Sequence, residues 1–366
     1  MRGSGFIAWC RLLLIAAAGL LPCACDEAAP AGGPLDVRAQ FGEVGRFPGQ
    51  FSYPRGMDTH GGALVIVDKS ARIQRLDAET GRFLGGWRMP EFELGKPTGV
   101  TVGPHPFEAG RAVVYVADTH YHRIVAYALP GDPLERTGPL IAETTPAPVL
   151  EIGGYGTDPG SFVYPTDVAV LPSEEPHEPV ARIYVSEYGG NDRITVFERV
   201  GDGFEIAFTF GTPGHGDGTA GRRAGVEFHR PQSMVIEPTR RELIITDSGN
   251  HRIGRFTLDG ALIAWMSPTG EDNTPLRYPY GLALLQDGTA LVSEFGGNRI
   301  RRFDPAGGRF LGIYGTAGRG AGELFSPWAV AVSGRTAFAL DSGNNRVLAF
   351  RSPAPALDIA AWETSP

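Results

Sequence analysis

Beyond residue 25 the chain has no cysteine; its three, Cys10, Cys23 and Cys25, all lie near the start. Disulfides, a thiol nucleophile and a thiolate metal site are therefore excluded from the remaining body. Positive charge is also sparse. Acidic residues outnumber basic ones by 41 to 33, and no Lys/Arg stripe appears that could follow a phosphate backbone, which excludes nucleic acid as a partner. No apolar run is long enough to cross a bilayer as a helix. Neither a serine nucleophile elbow nor a phosphate-cradling glycine loop is present. What the chain has in quantity is turn material, 51 Gly and 30 Pro, beside 42% hydrophobic residues. That is too many turn formers for a helical protein and too much apolar residue for a disordered one.

The short apolar run, residues 12–21 (LLLIAAAGLL), follows Arg2 and Arg11 in the pattern of a cleaved export signal. It leads into LPCAC, where Ala24 gives Cys25 the small preceding residue that lipid modification needs; Leu21 stands four places before that Cys rather than three. We expect removal of residues 1–24, lipid attachment at Cys25 and a flexible tether over 25–34. The protein is then a cell-envelope lipoprotein, or a periplasmic or secreted one, and meets the membrane only through its anchor.

From there the sequence repeats. Six segments open with Pro and an apolar strand, run to an Asp or Glu, and then to Arg-Ile or Arg-Val. The acid–arginine pairs are Asp68/Arg72, Asp118/Arg123, Glu187/Arg193, Asp247/Arg252, Glu294/Arg299 and Asp341/Arg346, spaced 4, 5, 6, 5, 5 and 5 residues apart. Each segment shows short β-branched and aromatic stretches parted by Gly, Asn and Asp. Four antiparallel strands per unit, six times over, is the pattern of a six-bladed β-propeller. The last unit lacks a fourth strand, and LDVRAQFG (35–42) resembles the fourth strands elsewhere. The N-terminal strand is thus expected to close the last blade, with the propeller spanning 35–351 and a tail over 352–366.

PYGLALLQDGTALVSEFGGNRIRRFDPAGGRFLGIYG (279–315) and RELIITDSGNHRIGRFTLDG (241–260) look like NHL repeats. The resemblance implies an all-β ring. It is weak for function, because the family mixes lyases, interaction platforms and nucleic-acid binders. Peptidyl-hydroxyglycine lyases share repeats similar to IYVSEYGGNDRITVF (183–197), and such lyases use a His-bound Zn²⁺, a structural Ca²⁺ and a catalytic Tyr. Gly189 stands where that Tyr would align, and no paired His motif is present. A lactonase would need central Ca²⁺ ligands, for which Asp58, Asp167, Glu187 and Asn191 qualify by chemistry.

A residue present in every blade is architecture, so the six pairs are expected to fix the hairpins, with Asn191, Asn250, Asn298 and Asn344 at positive-φ turn positions. Function is sought where blades differ. The face carrying the fourth-to-first and second-to-third connections gathers His120, Tyr188, Glu187, His251 and Glu294, with Asp167 deeper in the channel. The Gly-rich loop 211–230 is expected to act as a lid, and residues 103–111, 130–148 and 172–180 as solvated excursions. The sequence supports a monomeric binding or scaffold module for a protein, peptide or glycan. A metal-dependent propeller enzyme is the alternative; no cofactor is required, and Ca²⁺ is the one that the channel carboxylates would suit. Replacing Cys25 by Ser should move the protein from the membrane to the soluble fraction on cell fractionation; a wild type that is already soluble would refute the anchor.

Overall fold

The structure, a computed structural model, describes residues 33–130, 141–142, 145–175, 178–266 and 274–357. The signal sequence, Cys25 and most of the tether lie outside these residues. Every blade is built on four antiparallel strands running outward from the axis. Blade 1 has strands Pro54–His60, Ala63–Asp68, Arg72–Asp77 and Phe83–Arg88. Blades 2 to 5 repeat the order, with inner strands Gly99–Pro104, Tyr164–Pro172, Pro231–Glu237 and Pro279–Leu284. Blade 6 has Pro327–Ser333, Thr336–Asp341 and Arg346–Arg351, and its outer position is filled by Val37–Phe41, paired antiparallel to the third strand through Val37↔Phe350 and Phe41↔Val347. The expected closure by 35–42 is therefore formed.

The second strand of a blade shows why the ring holds. In blade 1 it reads ALVIVD and is buried at every position. Side chains alternate across a strand, so one half packs on the preceding blade and the other half on the following one. Leu64 and Ile66 join Leu340 and Val347 of blade 6, whereas Val65 and Val67 join Val114 and Val116 of blade 2. Six such clusters fill the six spaces between blades, so the core is a circle of interfaces.

The inner strands have a second problem. Each turns one edge toward the axis, where no further strand can satisfy its backbone groups. Short polar side chains reach across to the neighbouring blade instead. Thr98 Oγ1 donates to the Thr166 carbonyl at 3.0 Å, Thr166 Oγ1 to that of Pro231 at 2.7 Å, Thr246 Oγ1 to Tyr280 at 2.9 Å and Ser293 Oγ to Trp328 at 3.1 Å. Thr59 Oγ1 links blade 1 back to the Val332 carbonyl of blade 6 at 3.1 Å. Asp58 and Asp167 do the complementary job as acceptors. Asp58 takes the Val102 N–H of blade 2 at 2.7 Å, and Asp167 takes the Met234 N–H of blade 4 at 2.8 Å.

Three expectations need correction. Loop 211–230 is bonded to blade 4: Arg252 donates to the carbonyls of Gly216 and Glu227, Trp265 Nε1 to Asp217, and Gly221 and Arg222 pair with Leu262. Glycine there serves tight turns rather than a lid. Within the supposed excursion 130–148, Ile141–Ala142 adds a fifth, parallel strand to the outer edge of blade 1, covering an open sheet edge. Of the four Asn positions only Asn298 is left-handed; Ala71, His122, His251 and Asn345 hold that conformation in other blades. Asn191, Asn250 and Asn344 use their amides to bond the blade's acid instead. The tail also begins as structure: Ala356 bridges Leu285, and Gln286 N–H donates to the Pro355 carbonyl at 2.9 Å.

Deleting residues 35–42 removes buried Leu35 and Phe41 and reopens the edge of blade 6. At ~2–4 kcal/mol for each large apolar side chain lost, the variant should unfold at a much lower temperature in calorimetry, and an unchanged transition would refute the closure. A second prediction concerns Asp167, whose carboxyl burial raises to about 7, while the Met234, Ser233 and Val168 bonds oppose the rise and Asp58 adds to it. The folded chain keeps this proton up to about pH 7, whereas an unfolded carboxyl releases it near 3.8. The resulting stability is full below the lower value and is lost as pH rises through the higher. Relative to Asp167→Asn, wild type should therefore lose on the order of 4 kcal/mol between these pH values in urea titrations. Parallel pH profiles for the two proteins would refute it.

Candidate functional site

All six acid–arginine pairs form, with Nε–carboxylate distances of 3.0 Å in Asp118/Arg123, 2.7 Å in Glu187/Arg193, 2.8 Å in Asp247/Arg252, 3.0 Å in Glu294/Arg299 and 2.7 Å in Asp341/Arg346. Asp68 and Arg72 pair through Nη2. In blades 1, 3, 4, 5 and 6 the pair also bonds the backbone of the loop that enters the blade, and in blade 2 Arg123 meets the Glu91 carboxylate of that loop. Glu187 accepts the Val163 N–H at 2.9 Å while Arg193 donates to the carbonyls of Thr157, Asp158 and Ser161. Asp341 accepts the Phe325 N–H at 2.7 Å while Arg346 donates to Gly320 and Glu323. Glu187 and Glu294 are wholly buried by this work, with 0% exposure, so neither reaches the face on which the sequence placed them. The longer side chain in blades 3 and 5 reaches the same Arg that an Asp reaches elsewhere.

Above these pairs, at the mouth of the central channel, the blades do differ. The residue before the blade-opening Pro is left-handed at Tyr53, Lys96, Arg230, Tyr278 and Ser326, with φ between 50° and 68°. Residues before proline normally avoid this region, and holding one there costs roughly 1 kcal/mol or more. A side chain from the preceding blade secures four of the five, and the Lys69 carbonyl holds Lys96. Asn345 accepts the Tyr53 N–H at 2.7 Å, Asp192 that of Arg230 at 2.5 Å, Asn298 that of Ser326 at 2.8 Å, and His251 Nδ1 that of Tyr278 at 3.0 Å. His251 is thus engaged in joining blades 4 and 5. The conformation turns Tyr53 and Arg230 toward the mouth.

The residue after the same Pro completes the arrangement: Arg55, Thr98, Gln232, Tyr280 and Trp328 line the channel opening or its wall. The rings and cations form a belt. Tyr164 lies 5.5 Å from His120 and 5.3 Å from Tyr188 by ring centroids. Arg230 sits 4.7 Å from the Tyr188 ring and 5.6 Å from that of Tyr280. Tyr280 stacks on Phe295 at 4.6 Å and meets Trp328 edge-on at 5.0 Å. Arg55 lies 4.9 Å from Trp328 and 5.8 Å from Tyr53. The proton affinity of His120 is lowered by burial first and then by the positive charges of Lys96 and Arg55.

Below the belt runs a channel of about 870 Å³, walled by glycine and small apolar side chains. Asp58 and Asp167 stand within it. Burial raises both carboxyls, to about 6 and about 7, against their backbone bonds. Among the described residues no third acidic, His or Cys side chain converges with them. Two carboxylates already bonded to backbone N–H groups fall short of the six to eight oxygens that Ca²⁺ takes, so the fit is poor.

Of the sequence candidates, then, His120 and Tyr188 belong to the belt, Asp167 lies beneath it, His251 sits at its rim as a fastener, and Glu187 and Glu294 underlie it. Sequence reasoning missed Arg55, Tyr164, Tyr280 and Trp328. Their signal was present at a fixed place, the position beside each blade-opening Pro, where blades 1, 5 and 6 carry Arg55, Tyr280 and Trp328 against smaller residues elsewhere.

No protein-family model matches the chain, and no curated protein matches it. Solved structures do. A protein of unknown function from Bacteroides thetaiotaomicron superposes with a TM-score of 0.59 at 14% identity, over 86% of this chain and 76% of that one. A streptogramin B lyase gives 0.52 at 18% identity, over 86% and 87%. A chain of a nidogen/laminin complex gives 0.51 at 19% identity, over 80% and 91%. Likeness at such identities is one of fold, and by fold this chain is a six-bladed β-propeller.

Proposed function

We propose that the chain is an extracytoplasmic binding module of the NHL-repeat type, held at the membrane through Cys25. It works as a monomer that presents its channel-mouth face to a protein, peptide or glycan. One observation carries this reading. Of the ten large apolar side chains exposed among the described residues, seven lie in the connections of that one face: Val44, Phe47, Phe92, Leu94, Tyr155, Tyr278 and Phe325. Exposed apolar surface gathered on one side of a soluble protein marks an interaction site. The aromatic belt at its centre extends it inward, and aromatic and Arg side chains are the residue types that anchor interfaces. One structural neighbour is a chain of a nidogen/laminin complex, which agrees with a binding role without specifying a partner.

The second reading is a hydrolase or lyase acting in the channel. Its support is the pair Asp58 and Asp167, buried carboxyls whose proton affinities are raised toward neutrality. Both already accept backbone N–H groups that stitch blade 1 to blade 2 and blade 3 to blade 4, which favours architecture over chemistry.

The test is a quantitative pull-down from an extract of the producing cells. A combined Phe47→Glu, Tyr155→Glu and Phe325→Glu variant should recover its partner with a loss of about tenfold or more. Val200→Glu, at an exposed site in an outer hairpin of the opposite face, should behave as wild type. Capture that survives the first variant and fails with the second would show that the wrong face has been chosen.

A further inference from the structure

We propose that the channel mouth is a carboxylate site, in which a carboxylate carried on an apolar ring or chain lies between the guanidinium groups of Arg55 and Arg230. This rests on the reading of that face as the binding face, and it names the chemistry the centre of the face accepts.

Two arginines at the mouth lack the partner that the blade arginines have. Among the described residues the buried Arg55 Nε meets no acceptor, and no carboxylate pairs with the Arg55 guanidinium. Arg230 donates its Nε to Gln232 at 3.1 Å and makes no ion pair among the described residues. Rings lie near both guanidiniums, Tyr53 and Trp328 around Arg55, Tyr188 and Tyr280 around Arg230. Packing of this kind covers guanidinium faces and leaves N–H edges for a ligand. Arg230 lies 5.6 Å from the Tyr280 ring, Tyr280 meets Trp328 at 5.0 Å, and Arg55 lies 4.9 Å from that same Trp328, so the two guanidiniums flank one pair of rings at the opening.

Lys96, which together with Arg55 lowers the proton affinity of His120, adds a further positive charge beside the belt. The acids nearest in the fold are spent: Glu187 and Glu294 are buried against Arg193 and Arg299, and Asp192 accepts the Arg230 backbone N–H. A chain of net charge −8 thus keeps a cationic spot at its axis. Both side chains are half-buried, and a cation partly withdrawn from water without a counter-charge is stabilised by an entering anion. The geometry selects the type of anion. A guanidinium fork matches the planar carboxylate, and the aromatic walls suit an apolar carrier. A dianion such as phosphate would face Asp58 and Asp167 deeper in the same channel. The channel, about 870 Å³, has room for a small organic acid.

Calorimetric titration of the mature protein with benzoate, acetate, phosphate and sulfate tests this. Benzoate should bind tightest. Arg55→Gln and Arg230→Gln should each weaken it by about tenfold or more, as expected for a hydrogen bond to a charged group. The double variant should bind none. If the Gln variants fail to fold, Arg55→Lys and Arg230→Lys keep the charge, lose the fork, and should still weaken benzoate. No binding by wild type, unchanged binding in the variants that fold, or phosphate and sulfate binding as well as benzoate would each overturn the proposal. Rim-dependent capture of a partner without benzoate binding would sink this inference alone. Loss of both would remove the binding-face reading as well.

Discussion

The whole ring depends on a buried carboxylate bonded to an arginine at the top of each blade. The pair is not there because attraction outweighs burial. The carboxyls of Glu187, Asp247 and Asp341 are raised above their ordinary range, and that of Asp118 is raised to about 6; burial is the largest cause in every case and arginine only opposes it. Buried ion pairs often gain little stability for this reason. Their value here is geometric. An incoming loop brings N–H and C=O groups to a place where no sheet can satisfy them, and one acid and one arginine accept and donate to that loop together. With the loop fixed, the next inner strand starts at a set height and angle. The mouth is built on that precision.

Much of the fold was readable because it is periodic. Pro, acid and Arg recur at near-constant spacing, and the spare strand at 35–42 matched the missing one after Arg346. The errors came where one residue type serves two ends. Asn was assigned to left-handed turns, yet Asn250 and Asn344 bond the acid while the next residue, His251 or Asn345, takes the left-handed position. A hairpin sequence shows that such a turn exists, but which of two adjacent residues turns depends on a contact with the next blade.

The site was less legible than the frame. Glu187 and Glu294 stood out as departures from Asp, but their difference is absorbed below the surface. Arg55, Tyr280 and Trp328 are far apart in sequence and lie within strands, and a search confined to loops passes over them. Only the curvature of the ring brings three first-strand residues from blades 1, 5 and 6 to one opening. Sequence can show that a position varies between repeats; it cannot show that those variants meet at an axis.

The shared sixth blade has a consequence for how the molecule comes into being. Val37 pairs with Phe350, so the strand made first waits for the strand made last. Blades 1 to 5 can form one after another as local hairpins, each resting on its predecessor. The ring itself has a single, very long-range closing step, and loop-closure entropy makes such contacts slow. Until then blade 6 has an open edge and the space between its third strand and solvent is unfilled. A chain cut short by even its final strand would therefore be a stack of blades with two loose ends rather than a slightly smaller ring.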